Sequence, residues 1–194
     1  DYVHDLNRPI QDELKNKFDF IYDGSCMDNL FNPAMFIENC SSLLKPNGRI
    51  IQFEHASAWP GAYLSYSPDW FFDFYTDNNY NDVQVFMGTF PGVKSPHHLQ
   101  TPWTLYRWIP SMYGDIHDHS YHIDGNHRML IIIAEKNKKS TNNVYPIQKQ
   151  YSDWSQKEKD LYTTLSEKYR TSKRINYWKT NNSLDWSQPK SISN

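Results

Sequence analysis

Two short apolar runs, FDFIY (Phe18–Tyr22) and RIIQFE (Arg49–Glu54), flank a segment whose two ends are chemically marked. Asn32 has the side chain of a helix N-cap, and Pro33 suits a first helical turn, where a missing N–H costs nothing. Phe36, Cys40, Leu43 and Leu44 then recur at helical spacing, and Lys45-Pro46-Asn47-Gly48 stops the helix, with Asn47 or Gly48 able to take a left-handed turn. The pattern repeats downstream with Ser67 as N-cap, Pro68 in the first turn, Asp69 near the positive helix end and Asn78-Asn79 as the stop. The alternating DVQVFMG (Asp82–Gly88) and the continuously apolar RMLIIIAEK (Arg128–Lys136) then read as strands. Strand, helix, strand, helix, strand leads to an α/β layer fold in which helices cover a mainly parallel sheet. A further short helix is expected at RPIQDELKNK, opened by Pro9.

In such sheets ligands bind beyond the carboxyl ends of the strands, where the loops begin. The stretch DGSCMDN, directly after the first apolar run, is a loop of that kind. Asp23 can accept from a ligand amine or hydroxyl, and Gly24 lets the backbone come close. An ordinary strand-to-helix turn uses the same Asp, Gly, Ser and Asn, so both readings stay open.

With 194 residues, 38% hydrophobic and 22% charged, the chain is long enough for one principal domain. A net charge of −2 gives no overall reason to expect a polyanion partner. Its two cysteines, Cys26 and Cys40, have no second thiol at metal-ligand spacing, which fits a reduced, cytoplasmic protein. No apolar run is long enough for a membrane span and no secretory signal opens the chain. The sequence begins at Asp1 in the middle of a pattern, DYVHDLN, so an incomplete N-terminus is expected.

The run FDFIYDGSCMDNLFNPAMFIENCSSLLKPNGRIIQFE resembles the second half of class I S-adenosylmethionine-dependent methyltransferases. Those proteins carry an FD-apolar-apolar fourth strand, an Asp-rich loop, a helix ending in L-L-K-P-G-G, and a fifth strand; here the glycine pair is Asn47-Gly48. AYLSYSPDWFFDFYTDNNYNDVQVF looks like the following helix and sixth strand, and NHRMLIIIAEK like the antiparallel seventh. The resemblance implies a Rossmann-like, mostly parallel sheet with helices on both faces, an antiparallel last strand and a missing first half. It covers residues 1–136, with an insertion at 89–127 and a polar linker and helical tail at 137–194. S-adenosylmethionine is the implied cofactor. HDLN looks like the end of the third strand, making Asp5 and Leu6 the adenine contacts, while Asp23, Gly24 and Ser25 match the loop lining the methionine end. The family's glycine-rich first loop has no counterpart, for the seven glycines never form G-x-G.

Methyl transfer from a sulfonium is an in-line displacement in which the protein mainly aligns the partners and excludes water. His55, just after the second apolar run, is the candidate base if the acceptor is a hydroxyl of a small molecule or glycan. Trp59, Tyr63 and Tyr66 could wall an acceptor site, although loop packing is the plainer reading of all three. Two other functions compete. Residues 115–127 interleave His117, His119, His122 and His127 with Asp115, Asp118 and Asp124, which would suit a metal-binding protein, yet no recognised ligand spacing follows, and no metal is assigned. A non-catalytic interaction domain that keeps the fold without the cofactor is the other. The tail reads as a linker and then a helix at SQKEKDLYTTLSEKYR; from Lys139 onward it holds 10 Lys/Arg against 5 Asp/Glu. A solvated appendage explains that surplus better than a nucleic-acid partner does.

Overall fold

A computed structural model describes residues 2–90, 103–108, 127–148 and 190–192. The helix signals act as read: α1 spans Pro33–Leu43, with the Asn32 side chain accepting from the Met35 amide at 3.2 Å. Helix α2 spans Pro68–Asp77, although its N-cap Ser67 makes no side-chain capping bond. Around them lie β1 (Phe18–Gly24), β2 (Leu44–His55), β3 (Asn81–Phe90), β4 (Trp103–Trp108), β5 (His127–Glu135) and the short β6 (Lys190–Ile192).

The strands form one open sheet in the order β1-β2-β5-β3-β4-β6. Among the described strands only β1 and β2 pair in parallel; the other neighbouring pairs are antiparallel. The expectation of a mostly parallel sheet is therefore corrected to a mixed one. The antiparallel course expected of residues 128–136 is found in β5, which lies between β2 and β3 although those two point the same way.

Among the described residues, α1 and α2 lie on one face of the sheet. Ile50, Gln52 and Glu54 of β2 stand opposite Ala134, Ile132 and Leu130 of β5. Both α1 (Phe36, Ile37, Cys40) and α2 (Phe71, Phe72, Phe74, Tyr75) pack into the core cluster on this side. The steps β1 to β2 and β2 to β3 run the same way along the sheet, and crossovers of one hand that step the same way lie on one face. On the opposite face of β1, Phe18, Phe20 and Tyr22 are 37%, 53% and 65% exposed.

Strand β2 also begins earlier than the sequence suggests. Residues 45–48 end the helix but are already strand: Asn47 takes φ +68° and donates its amide to Lys136 at 2.7 Å. Gly48 is needed there, since a Cβ would come within 2.9 Å of the Lys45 carbonyl. The register against β1 slips between Phe18 and Phe20, which absorbs the irregularity.

The N-terminal elements differ most from expectation. The helix read at residues 8–17 is a single 3₁₀ turn, Asp12–Leu14, without a side-chain cap. Residues 2–5 form no strand, so HDLN does not end one. The Asp5 carboxylate instead accepts from the Asn7 amide and Nδ2, both at 3.0 Å, a local bonding pattern that competes with ladder formation. The buried Asn39 of α1 fastens the segment: its Nδ2 donates to the carbonyls of Leu6 and Arg8, and its Oδ1 accepts from the Ile10 amide.

Beyond β5, the polar run 137–148 lies against the helix layer. Asn78 bonds Val144 in both directions and accepts from Thr141, while Asn142 donates to Ser42 of α1 at 2.7 Å. The histidine-rich stretch 115–126 and the tail helix read at 155–170 lie outside the described residues; His127 opens β5. Among the described residues no helix is long and apolar enough to cross a membrane.

Candidate functional site

Parallel pairing with Asp23 beside Gln52 and Gly24 beside Phe53 brings the carboxyl ends of β1 and β2 to one edge. The loop after β1 turns sharply. Ser25 takes φ +67°, the Cys26 amide donates to Asp23 Oδ1 at 2.9 Å, and a 3₁₀ turn follows at Met27–Asn29. The loop after β2 packs onto it, for the Tyr63 and Leu64 amides both donate to the Asp28 carbonyl and the Tyr66 hydroxyl donates to that of Met27. Segment 5–7 joins them because Asn7 Oδ1 accepts from the Phe31 and Asn32 amides. Phe31 and Tyr63, 88% and 69% exposed, meet edge to face at 6.4 Å on the outside of this junction.

Beneath the loops lies a buried acidic group. Asp23, Asp28 and Glu54 are 2%, 1% and 0% exposed. Asp23 is anchored at both oxygens, since Oδ2 accepts from Gln52 Nε2 at 3.0 Å while Gln52 Oε1 accepts from the Tyr75 hydroxyl at 2.5 Å. Neither oxygen of Glu54 has a partner at normal hydrogen-bond distance. Burial first, then the adjacent Asp23 carboxyl, push Glu54 up to about 10; the Asp28 backbone pulls weakly the other way. Glu54 is thus a neutral acid at pH 7. Asp28 is also raised, chiefly by burial, with the Ser25 hydroxyl opposing.

His55 ends β2 beside this group, with Nε2 3.4 Å from Asp28 Oδ2. Its ring stacks on Trp59, with centroids 4.8 Å apart and planes 10° apart, and Trp59 meets His127 edge to face at 5.1 Å. A carboxyl lies beside one edge of the imidazole and an indole stacks on its face. Such an imidazole is oriented for proton transfer.

The remaining sequence candidates divide. Gly24 is exposed, and a Cβ there would meet the Tyr22 ring at 3.0 Å. Ser25 contributes its left-handed backbone, whereas Asp23 bonds within its own loop and sheet. Leu6 packs against the core, while Asp5 is occupied with Asn7 and Arg8. Tyr66 is 7% exposed and links the two loops, and burial raises its phenol above the ordinary value. Among the described residues, no three His, Cys, Asp or Glu side chains form a set that could hold a metal ion.

Sequence reasoning passed over Asp28, Gln52, Glu54, Tyr75 and Phe31. A signal existed for two of them. Period-two alternation through Ile50, Gln52 and Glu54 puts both polar side chains on the face that Ile50 buries. Nothing local marks Asp28 as the partner of a histidine 27 positions later. No protein-family model matches this chain, and no curated protein matches it.

Proposed function

We propose that the chain belongs to an S-adenosylmethionine-dependent methyltransferase acting on a hydroxyl of a small molecule or sugar. One observation carries the reading: the loops after β1 and β2 meet at one sheet edge, with His55 held between Asp28 and Trp59. The sequence resemblance supplies the cofactor, and Gly24, exposed at the end of β1, fits a close ligand approach on the side away from the Tyr22 ring. Gly24 and Ser25 would line the methionine end. The sulfonium would supply an electrophilic methyl carbon. His55 would orient the acceptor hydroxyl and take its proton as the new O–C bond forms, with Asp28 steadying the imidazolium. Trp59 and the exposed Tyr63 would wall the acceptor side and exclude water.

Calorimetric titration with S-adenosylhomocysteine tests this, on a chain that also carries the glycine-rich first half of the pocket that the resemblance implies. Binding should weaken at least about tenfold in Gly24→Val, whose branched side chain meets the Tyr22 ring. His55→Gln should keep that binding and lower hydroxyl methylation by about a hundredfold or more. A chain carrying that first half that ignores S-adenosylhomocysteine at millimolar concentration would overturn the proposal.

A further inference from the structure

Beneath the strand-end loops, four side-chain oxygens are buried without a hydrogen bond: Ser25 Oγ, Asp28 Oδ2 and both oxygens of Glu54. They lie together, for Ser25 acts on the Asp28 carboxyl, and Asp23 and Asp28 act on that of Glu54. Buried acceptors in such a state are uncommon, because each forgoes the bond it would make with water. Their neighbours are satisfied: Asp28 Oδ1 accepts from Asn29 Nδ2 at 2.6 Å, and the two oxygens of Asp23 accept from Cys26 and Gln52. Among the described residues Glu54 alone has both oxygens unbonded, and it is fully buried at the carboxyl end of β2. The roof over it is thin, since Gly24, Cys26 and Asn29 are exposed while Asp23, Met27 and Asp28 beside them are buried.

What these acceptors lack is donors. A primary ammonium brings three, with a positive charge that carboxyls favour. A metal ion is a poorer match, since no three described His, Cys, Asp or Glu side chains form a set that could hold one. Asp28 Oδ2 is also 3.4 Å from His55 Nε2, so a hydroxyl one short link away from an ammonium held there comes up to the imidazole. We propose that Ser25, Asp28 and Glu54 bind the ammonium group of a small amino alcohol, with its hydroxyl turned toward His55. The proposal deepens the methyltransferase reading and rests on it for the role of that hydroxyl as methyl acceptor, whereas binding of the amine needs no cofactor. Glu54 couples the binding to a proton. Its charge is felt by Asp23 of β1, by Cys26 and Asp28 of the loop after β1, by Tyr66 of the loop after β2, and by Cys40 of α1 and Tyr75 of α2. His55 follows it on β2, and Arg128 of β5 stands on the same face, two positions from Leu130 opposite Glu54, without bonding it. Burial and the nearby carboxyls push Glu54 up to about 10, so pairing it with an ammonium at pH 7 displaces about one proton into the buffer.

The full chain is titrated with ethanolamine by calorimetry, in two buffers of different ionisation enthalpy so that released protons are counted. Ethylene glycol is the uncharged counterpart, and glycine carries its amine beside a carboxylate that the three acids repel. Ethanolamine should bind at least about tenfold more tightly than either, release about one proton, and bind more tightly as the pH rises from about 6 to about 8. Glu54→Gln, which keeps the shape of the side chain, should weaken binding about tenfold and abolish the proton release. Asp28→Asn should weaken binding severalfold, and circular dichroism shows that each variant is folded. Ethylene glycol or glycine bound as tightly, no binding of ethanolamine at millimolar concentration, or unchanged binding and proton release in folded Glu54→Gln would each overturn the proposal. Because no cofactor enters this titration, its failure and a failure to bind S-adenosylhomocysteine are separate results.

Discussion

The two faces of the β1–β2 pair carry loads opposite to the usual ones. Toward the helices, Asp23, Gln52 and Glu54 are buried almost completely. On the other side of the same strands, Phe20 and Tyr22 are more than half exposed, and Phe53, tilted against Tyr22 at 5.7 Å, is partly so. Burying acids costs stability unless they are bonded or neutral, and exposing rings forgoes burial energy. The difference separates what each face is for. The helix side holds chemically poised groups in a dry environment, while the outer side is an apolar surface of the kind that parallel strands normally have covered.

The sharpest test of this contrast uses neighbours on β5, whose alternation puts Ile132 under the helices and leaves Ile131 half-buried on the other face. Ile132→Ala should cost about 2–5 kcal/mol in denaturant unfolding. Ile131→Ala should cost less than half as much, and equal losses would mean that the faces are equally packed.

A test of comparable size is the pH dependence imposed by Glu54. Its pKa in the folded chain, about 10, stands above the ordinary 4.5, so below about 4.5 it is protonated folded or unfolded. Between these values only the unfolded chain ionises, and stability falls as pH rises, by at most about 1.4 kcal/mol per pH unit. Denaturation midpoints of Glu54→Gln should be flatter across pH 5–9 and should lie above those of the parent at pH 8. A parent whose stability rises over that window would show that Glu54 is charged and compensated.

Smaller still is the loss expected from Tyr75→Phe, which removes the hydroxyl that bonds Gln52. It should cost about 1 kcal/mol, read by thermal unfolding. Smallest is Tyr22→Ser on the open face. It should change stability by no more than about 0.5 kcal/mol while reducing binding of a hydrophobic dye. A larger loss would place a covering layer over that face.

Much of this arrangement was legible in the sequence. Asn32-Pro33 and Ser67-Pro68 located both helix starts to the residue, because capping and proline chemistry act within one turn. The apolar runs located β1, β2, β3 and β5, though β2 extends back to Leu44 where the sequence suggested only a stop. The antiparallel course of β5 was expected from the resemblance alone. The order of the strands was not legible in the runs themselves, since a continuous run such as LIII reads the same whether its neighbours are parallel or antiparallel. Nor was the N-terminal segment, whose course is decided by Asn39, some thirty positions along the chain. Of the candidate site, His55, Trp59 and Gly24 were singled out because loops after strand ends are where ligands bind, and the structure brings His55 and Trp59 into contact. The dependence of His55 on Asp28, and the neutral Glu54 beneath them, arise only when two loops pack together.

The place of β5 also governs when the sheet can close. Arg49 of β2 pairs with Glu135 of β5, 86 positions away, and although β4 pairs with one edge of β3, the other edge stays open until the same strand arrives. During synthesis, β2 and β3 must therefore wait with open edges until residues near 135 emerge. Contacts so distant in sequence form slowly, and open edges invite pairing with other chains. The last long strand acts as a keystone, and early interruption of translation leaves a product prone to aggregate rather than a smaller folded unit.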